Sequence, residues 1–86
     1  SGYISLAELY EYRMKKPKED VVAVFDAGTK VMVNPIPLLQ ARGGYLRRVG
    51  DHAGALRDYE KLADAYTNNL GFREIIAELK AKIAQQ

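Results

Sequence analysis

Apolar residues recur along this chain at intervals of three and four, in stretches separated by proline, glycine and asparagine, and that pattern predicts five helices. The first begins at Ser5-Leu6-Ala7-Glu8, a capping-box pattern. The serine hydroxyl is placed for an orphan amide, Glu8 can reach back, and Ile4 and Leu9 can close as a hydrophobic staple. This helix is expected to run to about Lys16, because Pro17 cannot continue the hydrogen-bond ladder and can instead open the next helix. Glu19 and Asp20 then sit near the positive end of that second helix.

Residues 21–33 support two readings. Val21-Val22-Ala23-Val24-Phe25 and Lys30-Val31-Met32-Val33 flank Asp26-Ala27-Gly28-Thr29, so local propensity favours two strands joined by a turn. Against this, Val21/Val22, Phe25, Gly28/Thr29 and Met32 fall at helical spacing. The third helix starts after Asn34, with prolines in its first turn, carries Leu38, Leu39, Tyr45, Leu46 and Val49, and ends at Gly50. Asp51 caps the fourth, whose apolar set is Ala55, Leu56, Tyr59, Leu62, Ala63 and Tyr66, and Thr67-Asn68-Asn69 breaks it. A fifth, from about Gly71, places Phe72, Ile75, Ile76, Leu79 and Ile83 on one stripe.

The pattern also repeats. Residues 2–35 and 36–69 follow one plan at a spacing of 34 residues, with Phe25 falling on Tyr59 and Asn34 on Asn68. A period in this range marks stacked helix pairs, each unable to bury its apolar face alone. The second copy is strongly helical where it aligns with residues 21–33, which decides that segment in favour of helix. The expected fold is therefore all-α: five antiparallel helices, as two stacked helix-turn-helix repeats with a capping helix, forming an alpha-alpha superhelix.

The small residue Ala55, the aromatic Tyr59, the Gly50-Asp51 turn and the Asn34-Pro35 junction resemble the tetratricopeptide repeat, and residues 43–59 look closest to its pattern. The likeness covers two repeats, about 3–35 and 36–69, and a capping helix at 70–86. The first copy departs from it, with Val21 in place of the usual small residue, Leu9 where glycine is common and Gly28 where alanine is preferred. The resemblance implies a concave groove lined by the first helix of each pair. That groove would take Tyr3, Leu6, Ala7, Tyr10, Arg13 and Met14 from one repeat, and Pro37, Gln40, Ala41, Gly44, Arg47 and Arg48 from the next. Leu6, Tyr10 and Arg13 stand at i, i+4 and i+7, and Gln40, Gly44 and Arg47 repeat that stripe. Arginine forks suit carboxylates. The residues singled out for contact with a partner are Leu6, Tyr10, Arg13, Met14, Gln40, Gly44, Arg47 and Arg48. The lysine and asparagine clamp that some such grooves use for a C-terminal carboxylate has no match here.

Composition narrows the function classes. With 86 residues, 48% hydrophobic and 28% charged, the chain suits one small folded domain, too small for a deep catalytic cavity. Thirteen basic and eleven acidic residues leave a net charge of +2, which disfavours a nucleic-acid binder built on many phosphate contacts. There is no cysteine, which removes disulfides and thiolate metal sites. No apolar run approaches the ~18 residues of a membrane span. The opening Ser1-Gly2 reads as a trimmed start, so the chain is expected to belong to something larger. The run Lys15-Lys16-Pro17-Lys18 is a short basic turn. His52 beside Asp51 lacks the partnered base or ligand set that catalysis or metal binding needs. Neither a phosphate loop nor a Ser-His-Asp set is present. Gly43-Gly44, costly inside a helix, points to close helix packing.

The expectation is thus a non-enzymatic protein-binding module without cofactor, whose partner is another protein or peptide with acidic and apolar residues. The alternative is a docking or self-association unit, forming a homo-oligomer, within a larger protein.

Overall fold

The structure is a computed structural model and describes residues 2–86. Among these residues it contains five helices and no strand. Helix α1 spans Gly2–Glu8 and widens into a π-helical turn over Leu9–Arg13; α2 is Lys18–Val31, α3 Ile36–Arg48, α4 His52–Ala65 and α5 Leu70–Ala84. The all-α reading holds, and residues 21–33 are helical as far as Val31. The strand propensity of their valines yields to packing: Val21, Val24, Phe25 and Gly28 share one buried face at helical spacing. Glu19 and Asp20 lie in the first turn of α2 and Lys30 in the last, matching the helix dipole at both ends.

The chain divides into two compact units, the first ending at Leu38 and the second covering Leu39–Gln86. In the first, α1 packs on α2. Its core is Ala7, Val21, Val24, Phe25 and Leu38. Gly28 lets the helices approach: a Cβ added there would lie 2.9 Å from both Tyr3 Cγ and Leu38 Cδ1. The sequence placed the start of α1 at Ser5, but the helix already runs from Gly2, so Ser5 is an interior residue and the capping box does not form. Tyr3 explains the extension, since its ring stem rests on Gly28 and carries the preceding turn onto α2.

The same helix ends earlier than expected. Arg13 closes the π turn, Met14 N–H donates to the Leu9 carbonyl, and Lys16 N–H donates to the Tyr10 carbonyl. Between them Lys15 adopts φ +52°, a left-handed conformation that a side chain disfavours. Pro17 precedes α2 as its extended cap residue.

In the second unit the buried hydrophobic residues are Leu39, Tyr45, Leu46, Ala55, Tyr59, Leu62 and Leu79, and the charged Asp58 is buried with them. Helix α3 ends as the sequence predicts. Gly50 has φ +84°, Asp51 N–H donates to the Leu46 carbonyl and Gly50 N–H to the Arg47 carbonyl, a Schellman closure. Asp51 caps α4 by accepting from Gly54 N–H at 2.9 Å, and Asn69 caps α5 by accepting from Phe72 N–H at 3.0 Å. Helix α4 packs on α5 through Phe72, whose ring lies 6.1 Å from Tyr59 and 6.3 Å from Tyr66. The stripe expected on α5 is its less exposed face, with Leu79 fully buried.

Candidate functional site

Two concavities contain most of the side chains that the sequence marks for partner contact, one in each unit. In the first unit, Tyr3, Leu6 and Tyr10 of α1 with its π turn meet Ala23, Val24 and Ala27 of α2, with Lys16 and Asp20 beside them, around about 380 Å³. Arg13 is elsewhere, in a second concavity with Ser5, Glu8, Leu9 and Tyr12, and Met14 is exposed at the helix end. The separation has a local cause. A π turn advances each residue by a smaller angle than an α turn, so Arg13 leaves the stripe that a 3.6-residue period would give to Leu6, Tyr10 and Arg13.

In the second unit, Gly44, Arg47 and Arg48 of α3 and His52 of α4 meet Glu78, Leu79 and Lys82 of α5 around a cleft of about 350 Å³. Gln40 is exposed and does not line it. Gly44 leaves the α3 wall low, because the nearest atoms to an added Cβ are Arg48 Nη1 at 3.6 Å and the Tyr59 hydroxyl at 3.9 Å. Gly43, by contrast, faces Tyr59 and Asp58 at 3.0 and 3.3 Å, the close helix contact expected for this pair of glycines.

Arg47 is engaged within the chain. Its Nη2 donates to both Glu78 oxygens at 3.2 and 3.3 Å, and its guanidinium lies 6.0 Å from the Tyr59 ring centroid. Burial works against the charged form, but hydrogen bonds to Glu78 and Tyr59 outweigh it and hold Arg47 above its ordinary range. The Arg47 hydrogen bond in turn depresses Glu78 below the usual carboxylate value. Lys82 Nζ approaches the same carboxylate at 3.5 Å. Two cations thus converge on one carboxylate at the mouth of the cleft.

Sequence reading missed the strongest ion pair. Arg42 Nε donates to Asp58 Oδ2 at 2.9 Å and Nη2 to Oδ1 at 2.8 Å, a two-nitrogen fork on a carboxylate that is nearly inaccessible. A usable signal existed, since Arg42 and Asp58 stand equally far on either side of the Gly50 turn, where two packed helices bring such positions together. The residues 34 positions earlier are Glu8 and the buried Val24, so the pair belongs to the second unit alone.

His52 lines the second cleft, and its Nδ1 is buried without a hydrogen-bond partner. Among the described residues no group of three or more His, Cys, Asp or Glu could hold a metal ion. No described helix is long and apolar enough to cross a membrane. Compared with protein-family models, curated proteins and solved structures, the chain matches none.

Proposed function

We propose that the chain consists of two tetratricopeptide-like repeats, about 3–35 and 36–69, with a capping helix at 70–86. In this reading it serves as a protein–protein interaction module that holds an extended or helical, partly acidic partner segment in a concave groove. The observation that carries the reading is the placement of the first helix of each pair. Helix α1 and its π turn present Tyr3, Leu6 and Tyr10 to an open, mainly apolar concavity, while α3 presents Gly44, Arg47 and Arg48 to an open, cationic one. Apolar anchors beside guanidinium forks suit a segment of mixed apolar and acidic residues. We assign the module no catalytic activity and no cofactor.

Fluorescence anisotropy with three labelled peptides of equal length tests this reading: leucine alternating with glutamate, with lysine and with serine. The glutamate peptide is expected to bind saturably and the lysine peptide not at all; equal binding of the two, or binding of neither, removes the reading. A self-association unit is the second reading, favoured by the exposed apolar residues Leu6, Leu9, Tyr12 and Met14. Sedimentation giving a tight dimer of the chain alone would decide for it. Nucleic-acid binding comes last, because a net charge of +2 offers little for phosphate contacts.

A further inference from the structure

We infer that the cleft between α3 and α5 is a carboxylate-binding site in which Glu78 acts as an internal competitor, seated where an acidic side chain of the partner binds. The inference rests on the partner-binding reading above and assigns its acidic anchor to one place.

Three observations support it. First, the cleft is cationic: Arg47, Arg48 and Lys82 line it against Glu78 as the one carboxylate. Second, a carboxylate already occupies the point where Arg47 and Lys82 converge, at 3.2 and 3.5 Å from the same Oε1 atom. The protein's own residues therefore demonstrate the recognition chemistry. Third, the internal contact is built to yield. Only Nη2 of Arg47 meets Glu78, shared between two oxygens, and the side chains are 34% and 45% exposed. Arg42 and Asp58 show the alternative in the same unit, a two-nitrogen fork with shorter distances and little exposure. Exposed ion pairs of the first kind contribute little to stability, so exchanging one carboxylate for another at Arg47 costs the fold little. Gly44 adds no side chain to the α3 wall beside the guanidinium, and the nearest atoms to a Cβ there are Arg48 Nη1 at 3.6 Å and the Tyr59 hydroxyl at 3.9 Å.

The test uses the full chain, isotopically labelled, with the alternating glutamate–leucine peptide as probe and the shifts of backbone amides and the Arg47 Nε–H read by NMR. Shifts are expected at Gly44, Arg47, Glu78 and Lys82. Glu78→Gln should tighten peptide binding about threefold to tenfold, and Arg47→Gln should weaken it tenfold or more. Both substitutions break the same internal bridge, so general loosening of α5 would move affinity in one direction for both. Glu74→Gln, which removes a charge one turn away on the exposed side of α5, controls for net charge and should leave affinity within twofold. Binding that is unchanged or weaker in E78Q overturns the competitor role, as does tightening in E74Q equal to that in E78Q. Peptide shifts confined to the Tyr3–Tyr10 concavity, with R47Q binding normally, overturn this site while leaving the partner-binding reading intact. Failure of the glutamate peptide to bind wild type and all three variants overturns both.

Discussion

Single residues mark where this chain departs from its own repeat. Lys15 ends the first helix in a left-handed conformation, the role that Gly50 fills for α3, although Gly50 lies 35 residues on and the residue at the 34-residue spacing is Val49. Lys15→Gly should therefore raise stability by about 1 kcal/mol, measured as a shift in urea midpoint at constant slope. The glycines split in the same way. Gly28→Ala should destabilise, because the new Cβ lies 2.9 Å from Tyr3 Cγ and 3.1 Å from Tyr3 Cβ, stem atoms that a rotation of the ring does not carry clear, and 2.9 Å from the buried Leu38 Cδ1. Gly44→Ala, with no heavy atom nearer than 3.6 Å, should instead stabilise by about 0.5–1 kcal/mol through helix propensity. Thermal melts of the two variants should move in opposite directions. Asp58→Ala should cost about 3 kcal/mol, since it strips a nearly buried guanidinium of its carboxylate.

At the scale of elements, α5 is fastened by an aromatic contact and a capped start, to which the solvent-exposed Arg47–Glu78 bridge adds little. Asn69→Ala removes the acceptor for Phe72 N–H and should cost about 1 kcal/mol by urea unfolding. The bridge gives this helix a pH dependence. Because Glu78 titrates below its ordinary value in the folded state, its contribution is complete above about pH 4.3 and is lost as pH falls through the depressed value. Protection of α5 amides against exchange, compared with E78Q at the same pH, should therefore fall slightly on acidification below about pH 4, since E78Q has no such group to lose. Helix periodicity made the apolar stripes of α4 and α5 legible, the 34-residue spacing from α4 decided α2 against its strand propensity, and Gly50, Asp51 and the Asn69 region were legible as stops and starts. The beginning of α1 and its π turn were not. Both depend on Tyr3 packing against a glycine 25 residues away and on a widened turn that no local residue pattern announces.

For the whole molecule, 34-residue periodicity predicted an all-helical chain, and that is what the structure contains. Removing residues 70–86 should abolish cooperative thermal unfolding of the second unit, because Leu79 and Phe72 cover the apolar face that Tyr59 and its neighbours present. Of the marked contact residues, the sequence could name Tyr10, Gly44, Arg47 and Arg48 as lying on first helices, but not that Arg13 would turn away from Leu6 and Tyr10. Nor could it foresee that Arg47 would bind a carboxylate supplied by α5. The sequence by itself determined the helices and most of their ends, because capping, prolines, glycines and the spacing of apolar side chains act within a few residues. Only the tertiary structure decided which charges meet and which faces open into clefts. Those outcomes depend on side chains far apart in the chain, brought together when the helices bury their apolar stripes.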